Sequence, residues 1–289
     1  MLTSIEKLSI KILKEMPSNY ALLAPLLFVL IITGISAVQI LDCKNGETYD
    51  ENIYKKCPKG FIGSLCTTEK TGLCADGDSA NSQSIILITF GSGNQAYSNK
   101  TAEEFNFTTS YTQSLEDQIT YNTFVFVNKV PAVNEWHSGA SDYTTDDTDG
   151  YMLLVNVGEK DEYIFKYQVS NLCIGLRYEF SAYLANVMVE NSEASGDSDD
   201  STIKIIFRVK QVSEAKESET VVKKTDDISA YENMIWEKHG LSFVAQATDA
   251  VLLLDSKVNG NPRFIAIDDI KLRVCSANRS VSVLPSKYF

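Results

Sequence analysis

Two adjacent carboxylates, Asp268 and Asp269, stand inside "AIDDIKLRVC" (266–275), a stretch that otherwise reads as a β-strand. At period two, Asp268 shares a face with Ile270, Leu272 and Val274, while Asp269 shares the other with Lys271 and Arg273. A carboxylate turned toward a core must have its charge answered, because burying it alone is very costly. Two answers are open. One is a cation such as Ca2+, which takes about six to eight oxygens; the other is a set of backbone N–H groups with an arginine, such as Arg177 or Arg263. The acidic loop "SDYTTDDTDG" (141–150) brings Asp142, Asp146, Asp147 and Asp149 as further oxygens, without the spacing and terminal glutamate of an EF-hand loop.

A second kind of chemistry is offered by "NEWHSG" (134–139), where Trp136 could form a platform for a sugar ring, with Tyr143 and Tyr151 as the nearest alternatives. A tryptophan in an all-β domain is more often core. Catalysis finds little purchase: there is no G-x-S-x-G elbow and no serine, histidine and aspartate in a triad order, so His137 has no nucleophile to serve. Paired carboxylates for glycoside hydrolysis are always on offer among 38 acidic residues and single out no pair. "FGSGNQ" lacks the lysine and helix of a phosphate loop. No C-x-x-C pair exists, and His137 and His239 stand apart, which argues against zinc. No cofactor is required, and the expectation is a protein that is not an enzyme.

The elements that must position these residues belong to an exported chain. A formal charge of −12 argues against binding nucleic acid, which calls for a basic surface. "YALLAPLLFVLIITGISAVQIL" (20–41) carries no charged residue and is long enough to span a bilayer. Lys7, Lys11 and Lys14 precede it, and Asp42, Glu47, Asp50 and Glu51 follow, so the N-terminus stays cytoplasmic and the remainder goes outward. The segment reads equally as a signal anchor or as a cleaved signal peptide, and either sends residues from 42 onward to the cell surface or the medium. Six cysteines, Cys43, Cys57, Cys66, Cys74, Cys173 and Cys275, fit an oxidising destination, as do the sequons at Asn99, Asn106 and Asn278.

From residue 84 onward, strand-length runs alternate with turn residues: "SIILITF", "TFVFVN", "GYMLLVNV", "YIFKYQV", "RYEFSAYLANV", "TIKIIFRVK", "LSFVAQA" and "AVLLLD". Tyr178, Phe180, Ala182 and Leu184 alternate with polar neighbours, as do Ile203, Ile205, Phe207 and Val209. Without intervening amphipathic helices, these predict an antiparallel β-sandwich. "ENSEASGDSDDS" (190–201) and "SEAKESETVVKKTDD" (213–227) read as long loops.

Two resemblances follow. "CPKGFIGSLC" (57–66) resembles the last loop of an EGF-like module, which implies a Cys57–Cys66 bridge, although Lys55 stands where that module carries a further cysteine. A second bridge from Cys43 to Cys74 completes that segment. "SDYTTDDTDGYMLLVN", "NLCIGLRYEFSAYLANV" and "FIAIDDIKLRVC" together resemble the jelly-roll modules of bacterial cell-surface proteins and, more loosely, the MAM domain of animal adhesion receptors. The MAM resemblance implies a Cys173–Cys275 bridge. The stretch is longer than a typical MAM domain, and that family's paired N-terminal cysteines are not clearly reproduced around Cys74. The jelly-roll resemblance implies a structural Ca2+ near the meeting of the first and last strands, at Asp268.

The resulting plan is a cytoplasmic segment (1–19), a hydrophobic helix (20–41), a degenerate EGF-like disulfide-rich segment (42–73), an all-β antiparallel jelly-roll β-sandwich (74–275) and a tail (276–289). The expected function is extracellular recognition or adhesion, with a glycan or an extracellular protein as ligand. The alternative is a secreted carbohydrate-active enzyme or its carbohydrate-binding accessory part.

Overall fold

The computed structural model describes residues 61–62, 68–69, 72–74, 84–114, 119–158, 163–190, 203–212, 220–256 and 263–275. The hydrophobic segment, Cys43, Cys57, Cys66 and Asn278 lie outside them. Among the described residues, no helix is long and apolar enough to cross a membrane.

Two short strands, β1 (Phe61–Ile62) and β2 (Thr68–Glu69), pair with each other. The remainder forms two sheets. The smaller holds β7 (Tyr163–Val169), β9 (Ile205–Val212), β10 (Thr220–Lys224) and β12 (Asp249–Ser256), in the order β10-β9-β12-β7. The larger contains β3 (Ser84–Ile88), β4 (Thr112–Gln113), β5 (Thr123–Val127), β6 (Met152–Val157), β8 (Arg177–Asn186), β11 (Glu237–Val244) and β13 (Arg263–Val274). Its order is β11-β8-β13-β6-β5-β4, with β3 pairing the C-terminal half of β13. All pairs are antiparallel except β4 with β5. The order β6-β13-β8-β11 facing β7-β12-β9-β10, with the chain crossing repeatedly between sheets, is jelly-roll connectivity.

The alternation read from sequence places the core. Tyr178, Phe180, Ala182 and Leu184 of β8 meet Phe207 and Val209 of β9 between the sheets, together with Ile203 and Ile205. Phe90, Phe105, Phe107 and Phe126 close one end as edge-to-face rings around a 3-10 helix at Glu103–Phe105. A second apolar cluster, with Val125, Met152, Leu154, Ala185 and Ala266, lies on the other face of the larger sheet. That face is therefore covered, in part, by the chain between β5 and β6.

Three expectations are corrected. β10 occupies residues read as a loop: its exposure alternates, and an edge strand rich in Lys and Thr looks like a linker because only one of its faces packs. Cys275 bonds to Cys74, not to Cys173, which also removes the Cys43–Cys74 bridge. Cys173 is disulfide-bonded to a partner outside the described residues. The spacing of six cysteines cannot fix connectivity, and the pairing followed from the resemblance alone.

The third correction concerns Asp268. Strand β13 bulges between Asp268 and Lys271, where Asp268 pairs with Tyr183 and Lys271 with Ser181. Before the bulge Ile265 and Ile267 face the core; after it Ile270 and Leu272 do. Asp268 therefore lies on the same outer face as Ala266 rather than on the core face, and Asp269 is the extra residue, with φ 47°. The expected burial of Asp268 holds all the same, at 0% exposure.

Candidate functional site

The loop 141–150 folds over the bulge and shuts Asp268 away. Its Oδ2 accepts the backbone N–H of Tyr143 at 3.0 Å, that of Thr144 at 3.2 Å and the Thr144 hydroxyl at 3.3 Å. Its Oδ1 accepts the Asp269 N–H at 2.8 Å. Backbone N–H groups thus answer Asp268; Arg177 turns instead to the Ser242 hydroxyl and the Gly72 carbonyl. The Thr144 hydroxyl also lies 3.0 Å from Asp269 Oδ1.

These bonds do not neutralise the charge, because Asp142 and Asp147 crowd in. A Cβ added to Gly150 would meet Asp142 Oδ2 and both Asp147 oxygens, so the absence of a side chain there opens the space the carboxylates fill. Burial, and then the charge of Asp269, push Asp268 up to about 8. Burial, and then Asp147, push Asp142 up to about 6. Asp147 and Asp269 are raised as well, chiefly by burial. Asp142 Oδ2 and Asp147 Oδ1 are buried without a hydrogen-bond partner. Among the described residues, no group of three or more His, Cys, Asp or Glu side chains is arranged to hold a metal ion as it stands. The donor set is nonetheless of the all-oxygen kind that suits Ca2+, and its orphaned oxygens fit a cation better than they fit each other. Asp146 and Asp149 are drawn on the same loop but add no bond to Asp268.

Asp268→Ala leaves three backbone N–H groups without their acceptor and is expected to cost about 3 kcal/mol. Asp269→Gly loses one hydroxyl bond and suits a positive φ, so about 1 kcal/mol or less is expected. Denaturant midpoints of the two variants check this. Equal losses would contradict the pairing described.

The same bonds hold an aromatic platform. Tyr183 sits on β8 between Lys238 of β11 and Asp268 of β13. Its ring stacks on that of Tyr143, with centroids 3.5 Å apart and planes 14° apart. Trp236, just before β11, meets Tyr143 edge-on at 6.2 Å and donates from Nε1 to the Ser141 carbonyl at 3.3 Å. All three rings are half-buried. Ile235 and Tyr231, 46% and 37% exposed, continue the apolar surface along the same segment.

Trp136 is 8% exposed, packed on Phe264 at 4.3 Å, and so is core. Tyr143 is where a ligand could reach it. Tyr151 is buried and donates to the Gln95 carbonyl. His137 pins its loop to the Val187 carbonyl, and burial lowers its pKa. Sequence reasoning missed Tyr183 and Trp236. A tyrosine on the polar side of an alternating strand was the available signal for Tyr183.

Beside the platform lies a buried ion network that sequence reasoning also missed. Glu179, 0% exposed, receives Arg273 Nε and Nη2 at 2.9 Å each, the Cys74 N–H at 2.7 Å and the Ser181 hydroxyl at 3.2 Å. Lys238 Nζ lies 2.8 Å away. Burial alone would raise Glu179; Arg273 and Lys238 outweigh it and hold the carboxyl below its ordinary value. The network fixes Lys238, the neighbour of Tyr183 on the ladder.

No family model matches the chain, and no curated protein matches it. Solved structures do. The xylan-binding CBM22-1 domain of Paenibacillus barcinonensis Xyn10C is 10% identical with a TM-score of 0.39, over 68% of this chain and 97% of that one. The CBM22-1–GH10 modules of Clostridium thermocellum Xyn10B, solved with xylohexaose, are 14% identical with a TM-score of 0.33, over 46% and 23%. The enzymatically active domain of bacteriophage CBA120 tailspike protein 4 is 11% identical with a TM-score of 0.36, over 58% and 19%. Each is a similarity and carries no assignment of activity or ligand.

Proposed function

We propose that the chain is a non-enzymatic extracellular recognition module that binds a glycan on the Tyr143, Tyr183 and Trp236 platform. The observation that carries this reading is the half-buried stack of Tyr143 on Tyr183, edged by Trp236 and by Lys238. Aromatic faces pack against the C–H faces of sugar rings, and neighbouring charged groups orient the hydroxyls. Trp236→Ala is expected to weaken binding to the best glycan by at least about tenfold, that is about 1.4 kcal/mol. Trp136→Phe, a change inside the core, is expected to leave affinity unchanged. Isothermal titration reads both, and unchanged affinity in Trp236→Ala contradicts the assignment.

Calcium is the proposed counter-charge for the cluster beneath the platform, held by Asp142, Asp147, Asp268 and Asp269. It would supply positive charge that fixes the loop carrying Tyr143. The sign of its pH dependence follows from the raised carboxyls. They bind protons more tightly when folded, so their contribution is full below the ordinary carboxylate range and is lost as pH rises toward about 6 for Asp142 and about 8 for Asp268. Calcium competes with those protons and stabilises by mass action. The rise in melting temperature on adding calcium is therefore expected to be larger at pH 8 than at pH 5. An absent or pH-independent rise would contradict the proposal.

Export is the remaining part. Asn99 and Asn106 are both exposed, Asn106 at the end of the 3-10 helix. Expressed in an animal cell, the chain is expected to carry N-glycans at one or both, shown by a mass shift on enzymatic deglycosylation. An unglycosylated cytosolic product contradicts it.

A further inference from the structure

Among the described residues, the outer face of the smaller sheet carries a surplus of cations on an acidic protein. Register fixes the residues that share it. Arg208 of β9 lies between Val222 of β10 and Leu253 of β12, and Leu253 in turn is opposite Lys166 of β7. In the next row Lys210 pairs with Thr220 and Val251, and in the row on the other side Lys224 pairs with Ile206. The inward partners, Phe207, Val209, Leu252 and Leu254, belong to the core, so these residues point away from it.

Among the described residues, three carboxylates share this face. Asp255 is engaged by Arg208, Asp227 by Lys204, and Asp249 at the sheet's end by the hydroxyls of Ser170 and Thr248. Among the described residues, none is ion-paired to Lys166, Lys210 or Lys224. Lys166, Lys210 and Lys224 are exposed, and Val222 between the rows is 46% exposed. Lys166 Nζ also stands 5.6 Å over the Tyr163 ring.

We propose that this face binds an anionic polysaccharide, at a second site that goes beyond the glycan platform on the other sheet. Neighbouring strands lie about 4.8 Å apart and same-face residues about 6.8 Å apart along a strand, so Lys166, Lys210 and Lys224, on three strands of one face, form a lattice on which successive anionic sugars can be met. Val222 and Val251 between the cations suit the apolar faces of the rings. The net charge of −12 selects the shape of the partner. A thread-like polymer touches the cationic strip alone, whereas a membrane plane or a folded acidic protein would bring the remaining negative surface close and be repelled. A single-stranded nucleic acid would need stacking rings, and among the described residues the face offers only Tyr163 at its margin.

The test uses the full chain in non-ionic detergent, with polygalacturonate, its fully methyl-esterified form and poly-glutamate as probes. Binding to polygalacturonate that weakens with salt, and at least tenfold weaker binding of the other two, is expected. Lys166→Glu with Lys210→Glu should lower that binding at least tenfold with an unchanged melting temperature, while Trp236→Ala leaves it intact. If the charge-reversed pair fails to fold, Lys166→Gln with Lys210→Gln decides, with a severalfold loss expected. No binding to polygalacturonate, equal binding to the ester or to poly-glutamate, or full binding by the lysine variants overturns the proposal. Trp236→Ala separates it from the platform: platform binding lost with polygalacturonate binding kept tells the two sites apart, and loss of polygalacturonate binding in that variant overturns the second site.

Discussion

Replacing Cys74 and Cys275 together by serine is expected to lower the stability of the sandwich by about 5 kcal/mol and its melting temperature by about 10–20 °C. The bridge spans 201 positions, nearly the whole jelly roll, so its removal frees a very large loop in the unfolded chain. It also tethers the approach to the domain. The Gly72 carbonyl accepts from Arg177 and Ser242, and the Cys74 carbonyl accepts Arg273 Nη2 at 3.2 Å. Because the bridge and these bonds share residues, their losses are not additive. Differential scanning calorimetry of the double variant is the measurement, and a fall of only a degree or two would show that the bridge does not constrain this domain.

The second large effect is expected at Glu179. Glu179→Ala leaves Arg273, 2% exposed, without its carboxylate and should cost about 3–5 kcal/mol. Glu179→Leu combined with Arg273→Met removes both charges and should recover much of that loss, since a buried pair can often be exchanged for apolar residues at little cost. Guanidinium denaturation reads the three proteins. The depressed carboxyl gives the pH sign: its contribution is present above the unfolded glutamate range and is lost as pH falls through the lower folded value. The double variant should lack that part of the acid sensitivity. A single variant as stable as the parent would show that the Cys74 carbonyl and water suffice for Arg273.

The strands were legible where both faces declared themselves. β8 and β9 alternate in residue type because one face packs in the apolar core between the sheets while the other carries mostly polar side chains, and Tyr178 through Leu184 fall on the predicted side. β10 was illegible because Val221 alone packs inward among polar neighbours. The burial of Asp268 was foreseen from period two, but for a reason the bulge removes. A bulge adds a residue without a compositional mark, and only the partner strand reveals it.

Long-range pairings were the hardest to read. Glu179 and Arg273 stand 94 positions apart, each on what looks like the solvent side of an amphipathic strand. Neither residue differs in sequence from an ordinary surface charge. Trp136 and Trp236 were likewise indistinguishable by type. Packing on Phe264 makes the first core, and its place just before β11 leaves the second half-buried at the edge of the same apolar cluster.

A glycan array probed side by side with the parent protein and with Trp236→Ala tests the platform most directly. A defined set of glycans is expected to be bound by the parent and lost or strongly weakened in the variant, with melting temperatures within a few degrees of each other. Glycans bound equally by both proteins, or none bound by the parent, would contradict it.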